Sequence, residues 1–248
     1  MQGRVIAVIG ALLAPMLFHA SGAAQTTANA PATCPEMMAL VDGSFCVDRF
    51  EAHLEEISER GAVVRVWPAN KSPEGARVRA RSSRGVVPQA YIAQADAARA
   101  CAAADKRLCS DGEWKAACKG RPATQFPYGN RRRAGACNDR GAEPLASILR
   151  SSAEGTSWGF DPMNDPRLHL VAGAVARTGR FGQCESEAGV FDMVGNVHEW
   201  TSNPSGTMRG GYYLDTSLLG EGCDYAASGH DTYYRDYSTG FRCCADPR

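Results

Sequence analysis

The chain has 248 residues, with 27 Lys plus Arg balanced by 27 Asp plus Glu, so its formal net charge is zero. That length allows one large domain or two small ones. The balanced charge argues against a general nucleic-acid binder, which carries a basic excess.

Residues 1–24 read as a secretory signal: Arg4 supplies the positive start, residues 5–18 are apolar, and Gly22, Ala23 and Ala24 suit cleavage. The apolar run is short for a bilayer span, so removal rather than anchoring is expected, and no later segment is long and apolar enough to cross. The expected destination is the periplasm or the extracellular space. Residues 25–32, rich in Ala, Thr and Pro, predict a disordered leader ahead of a single domain over 33–248.

Residues 37–41 and 45–50 predict two strands around the Asp42-Gly43 turn, with Asp48 and Glu51 on a solvated edge. A further strand is expected over 62–67, between Gly61 and Pro68, and residues 70–86 read as a long surface loop. Residues 90–104 are Ala-rich without Gly or Pro and predict the clearest helix. Ser110 and Glu113 form a capping box that starts a second helix, with Trp114, Ala117 and Cys118 on its buried face and Gly120 at its end. From 121 to 187 the regular signals fade over a stretch too long for a plain loop, so its order must come from tertiary contacts, disulfides or ions.

The run GVFDMVGNVHEW over 189–200 sets Gly195 between Val194 and Asn196, which predicts a turn pinned between buried flanks. Asp192 and Glu199 offer carboxylates, and the carbonyls of Gly195 and Val197 lie between them; alternating oxygens of this kind suit Ca²⁺. Downstream stand Arg209-Gly210-Gly211, Tyr212 and Tyr213, then His230 and Asp231, and residues 240–244 read as a last strand returning to the N-terminal part. Few helices, short strands and long irregular segments define an α+β chain. Ten cysteines, Cys34, Cys46, Cys101, Cys109, Cys118, Cys137, Cys184, Cys223, Cys243 and Cys244, imply disulfides in an exported protein, and spacing alone does not give their connectivity.

The run at 189–200, the Arg-Gly-Gly after it, the closing GFRC, KRLCSDGEWKAACKG over 106–120 and CVDRFE over 46–51 stand in one order along the chain. Together they resemble the formylglycine-generating enzyme family, also called sulfatase-modifying factors. The resemblance implies a C-type-lectin-like fold of the formylglycine-generating type. It implies a structural Ca²⁺ on Asp192, Gly195, Val197 and Glu199, and another on Asn138, with Asp165 matched to the family's second ligand. It also implies that Cys101 reaches Cys243 or Cys244 and that Cys118 reaches Cys223. Cys34 and Cys46 would close a short loop, and Cys137 with Cys184 is a pairing nothing in the sequence fixes.

The family's enzymes oxidise a substrate cysteine with O₂ on Cu(I) held by two cysteines, because soft thiolates suit Cu(I). Here the first of those positions is Asp215 and the second falls near Gly220; the Ser after Arg-Gly-Gly is Tyr212, and the Trp of the Asn-x-Trp-Glu-Trp run is His198. These departures argue against copper and against formylglycine generation. Arg209, Tyr212, Asp215, His198, His230, Asp231 and Tyr233 remain around the expected cleft. They fit a site for a peptide, a glycan or another small molecule, or else a divergent oxidase using iron on His and Asp. The milder reading is that His198 and His230 hydrogen-bond within the fold.

Overall fold

A computed structural model describes residues 32–149 and 159–248, together with Gly3. The expected signal and nearly all of the leader lie outside the described residues. Residues 32–248 form one compact unit.

Among the described residues three small sheets carry the fold. The first takes β1 (Met38–Val41), β2 (Phe45–Asp48), β6 (Arg107–Leu108) and β11 (Cys243–Ala245) in the order β1-β2-β11-β6, so the last strand closes onto the first hairpin. Asp42 and Gly43 turn that hairpin at φ 49° and 68°, as the Asp-Gly pair predicts. The second sheet orders β3 (Ala52–Ile57), β4 (Val63–Val66) and β5 (Val78–Ser82) as β4-β3-β5. β5 corrects the expected loop over 70–86: Val78, Ala80 and Ser82 alternate inward, a period-2 signal hidden among arginines.

The third sheet holds β7 (His198–Trp200), β8 (Met208–Arg209), β9 (Ala226–Ala227) and β10 (Thr239–Phe241) in the order β10-β7-β8-β9, with β10 and β7 parallel. The predicted last strand is thus two strands, β10 and β11, broken at Arg242.

Two helices pack against these sheets. α1 (Gln94–Ala102) begins later than the Ala-rich run suggests and lacks a side-chain cap; Ala97, Ala100 and Cys101 enter the core. α2 (Asp111–Lys119) has the full capping box, Ser110 and Glu113 each bonding the other's backbone N–H, and ends at Gly120 with φ 60°. Its Trp114 is fully buried. In the irregular stretch only α3 (Pro144–Leu149), α4 (Phe160–Met163) and a short 3₁₀ turn over Leu168–Leu170 are regular among the described residues.

Five disulfides hold this framework: Cys34–Cys46, Cys101–Cys243, Cys109–Cys244, Cys118–Cys223 and Cys137–Cys184, which leaves no free cysteine. They confirm the implied pairs, settle Cys101 on Cys243, and assign Cys109 to Cys244. Such a pattern belongs to a protein that matures in an oxidising compartment. Among the described residues no helix is long and apolar enough to cross a membrane.

Candidate functional site

The predicted turn at 189–200 is present. Asp192, Gly195 and Asn196 all take the left-handed conformation, at φ 59°, 82° and 59°, which Asp, Asn and Gly reach most readily. The flanking Val190, Met193, Val194 and Val197 are buried.

The carboxylates around the turn face each other inside the protein. Glu199 accepts from Arg242 Nε at 2.6 Å and a terminal guanidinium nitrogen at 2.6 Å, and from the Trp114 indole at 2.6 Å. Asp192 Oδ2 accepts the Gly179 N–H at 2.6 Å. Glu51 and Asp48, expected on a solvated edge, are fully buried. Glu51 accepts from the Val197 N–H at 3.2 Å and from Asn196 Nδ2 at 2.5 Å, while Asp48 takes Lys106 at 2.6 Å and the Cys243 N–H at 3.1 Å. Their partners lie far along the chain, so the residues around them read locally as a solvated edge. Burial first, then the neighbouring Asp192 and Glu199 carboxylates, push Glu51 well above the usual carboxylate range; burial pushes Asp192 to about 6.

Of the ligands implied for Ca²⁺, Glu199 already faces a cation of the protein's own. Both Glu199 oxygens are committed to a guanidinium, which already supplies the positive charge a cation would bring. At the other implied site Asn138 gives its amide to the Ala174 carbonyl and Asn196 Oδ1, while Asp165 pairs with Arg167, and no described contact joins the two. Next to Asn138, Asp139 has one buried oxygen without a partner, a single donor where Ca²⁺ takes six to eight.

The cleft residues divide. Arg209 turns away, donating to Asp111 Oδ1 at 3.1 Å, and Asp231 caps its own turn through the Tyr233 N–H at 2.7 Å. Tyr233 is 69% exposed. His198, Asp215 and Tyr212 do come together. His198 Nδ1 lies 3.0 Å from Ser238 Oγ, and Nε2 lies 3.3 Å from the Tyr225 hydroxyl, which donates to Asp215 Oδ2 at 3.0 Å. Ser238 in turn donates to Asp236 Oδ1 at 2.7 Å, and Tyr234 donates to Asp236 Oδ2 at 2.6 Å. The Tyr212 and His198 rings are 4.8 Å apart, and His230 packs on Tyr234 at 4.8 Å. A continuous chain therefore runs Asp215–Tyr225–His198–Ser238–Asp236–Tyr234. Burial pulls His198 down to about 4, against the upward pull of Asp236 and Asp215, so the ring is neutral. Tyr225, Ser238, Asp236 and Tyr234 escaped the sequence reading; the closing Ser before Thr-Gly-Phe-Arg was the only local signal.

Fold and motifs place the chain in a family. The model of the sulfatase-modifying factor enzyme 1-like domain matches residues 47–247, and the chain belongs to that family, with its C-type-lectin-like α+β fold. Among solved structures it is similar to PvdO from Pseudomonas aeruginosa, at 16% identity over 82% of this chain and 80% of that one, TM-score 0.47. CarF is similar at 15% identity over 82% and 86%, TM-score 0.46. The I1 variant of Major Tropism Determinant is similar at 15% identity over 87% of this chain but 54% of its own length, TM-score 0.49. No curated protein matches the chain.

Proposed function

We propose that this chain is an exported binding or accessory protein of the sulfatase-modifying factor family that does not generate formylglycine. One observation supports the reading above others. All ten cysteines are spent in disulfides, and Asp215, at the position matching the family's first copper thiolate, is held by Tyr225. A carboxylate is a hard oxygen ligand and does not replace a thiolate on Cu(I). The surface around half-buried Asp215 and Tyr212 is left for a peptide, a glycan or a small molecule.

The second reading is a divergent metal-dependent oxidase, favoured by a histidine and two carboxylates in one hydrogen-bonded chain. Against it, His198 has both ring nitrogens engaged by Ser238 and Tyr225. That leaves His230 as the nearby nitrogen donor for iron.

Protein purified from an oxidising compartment, offered Cu(I), O₂ and a cysteine-containing sulfatase-type peptide, is expected to leave the peptide mass unchanged. Metal content by mass spectrometry, read on the same samples, is expected to show no stoichiometric copper or iron. Aldehyde formation overturns the reading, as does a stoichiometric redox metal lost in Asp215→Ala or His230→Ala.

A further inference from the structure

Asp236 holds Ser238 twice, through its backbone N–H at 2.8 Å and its hydroxyl at 2.7 Å. Two oxygens at 2.7 Å need a proton between them, so the Ser238 proton is spent on Asp236 and its oxygen can only accept. His198 Nδ1, 3.0 Å from that oxygen, therefore carries the ring proton. A neutral imidazole has one N–H, which leaves Nε2 as an acceptor facing the Tyr225 hydroxyl at 3.3 Å. Tyr225 has one proton as well, and Asp215 Oδ2 at 3.0 Å competes for it. Two acceptors thus share one donor, and a buried acceptor left without one costs about 1–3 kcal/mol.

Solvent reaches this chain at its two ends, Asp215 and Tyr234, and Asp215 is the end that shares the Tyr225 proton with His198. It is half-buried, as is Tyr212, whereas His198, Tyr225, Ser238 and Asp236 are buried. Its Oδ1 is capped by the Ser217 and Leu218 N–H groups at 2.9 and 3.0 Å, which leaves Oδ2, with the Tyr225 hydroxyl as its one described partner, as the oxygen with spare accepting capacity. The cation nearest in sequence, Arg209, is already neutralised by Asp111. The loop directly after Asp215 exposes two large apolar side chains, Leu218 at 84% and Leu219 at 53%.

We infer that Asp215 Oδ2, the ring of Tyr212 and the Leu218-Leu219 loop form a binding site for an organic amine with an apolar body. An ammonium group brings both the missing donor and a compensating charge, and the aromatic face beside Asp215 attracts a cation. Once the amine donates to Asp215, the Tyr225 proton turns to His198 Nε2 and every member of the chain is satisfied. An anionic ligand of the same shape would meet the Asp215 carboxylate and bring no donor.

This deepens the binding-protein reading, and its test is separable from that one. Phenethylamine and 3-phenylpropionate, matched in size and opposite in charge, are titrated into the mature chain by calorimetry. Phenethylamine is expected to bind saturably and at least tenfold more tightly than 3-phenylpropionate. Asp215→Asn is expected to weaken the amine tenfold or more. Tyr225→Phe, which removes the donor competing for Asp215, is expected to keep or tighten amine binding, whereas a packing role alone would weaken it. If Asp215→Asn does not fold, the two probes on the wild-type chain and Tyr225→Phe decide. Equal affinity for both probes, no binding of either, or an unchanged Asp215→Asn overturns the site. Aldehyde formation in the copper assay would instead remove the binding-protein reading and leave amine selectivity standing.

Discussion

Arg242 and Glu199 form a two-pronged ion pair, at 2.6 Å on each prong, with side chains 0% and 1% exposed. The pair welds the point where β10 passes into β11 to the strand that follows the turn. The same guanidinium also donates to the Asp48 and Phe191 carbonyls at 3.0 and 2.9 Å. Removing it would strand Glu199 beside Glu51 and Asp192. Arg242→Met is therefore expected to lose about 3–5 kcal/mol, the cost of breaking a buried pair from one side. Urea unfolding followed by circular dichroism checks it; a loss under 1 kcal/mol would mean the pair is not the weld.

Gly195 sits at φ 82° with its α-carbon against the Asn138 carbonyl, where a Cβ would overlap that oxygen. Gly195→Ala is expected to cost about 3 kcal/mol through left-handed strain and lost close approach. Gly43, at φ 68° with open space around it, is the control: Gly43→Ala meets the strain without the overlap and is expected to cost less. Thermal unfolding of the two variants side by side gives the comparison.

Cys101–Cys243 closes a loop of 142 residues between α1 and the last strand. In the chain-entropy model a loop of that order contributes about 5 kcal/mol. Cys109–Cys244 spans nearly the same loop, so the double variant Cys101→Ala with Cys243→Ala is expected to lose far less than that, whereas removing both of these bridges together is expected to lose more than removing Cys34–Cys46, separated by 12. Equal losses, measured by denaturant titration under non-reducing conditions, would contradict the loop-length argument.

His169 is buried, has neither ring nitrogen partnered, and packs on Tyr91 with ring centroids 6.0 Å apart. Burial lowers it from 6.5 to about 4. The unfolded chain therefore takes up a proton that the folded chain refuses over this window. Its contribution to stability is full above pH 6.5, falls as the pH drops, and is gone by about pH 4. His169→Leu is expected to lose about 1–3 kcal/mol less than the wild type between pH 7 and pH 4. Urea titrations at pH 7, 5.5 and 4 measure the difference, and parallel curves would rule out His169 as the source.

The sequence by itself determined what is written within a few residues. The capping box of Ser110 and Glu113, the Asp42-Gly43 turn, the left-handed turn at Gly195 and the order of the family motifs were all legible, because each is a local demand on backbone geometry. The even cysteine count announced disulfides, though Cys109 found its partner only in space. The tertiary structure decided the partners of charged groups. Glu51 reads as a surface acid until the chain brings Asn196 and Val197, 145 and 146 residues away, to its oxygens. It also decided which cleft residues act together. Arg209 left for Asp111, and Tyr225, Ser238 and Asp236 joined His198, since a hydrogen-bond partner is chosen by distance across the fold and leaves no period in the sequence.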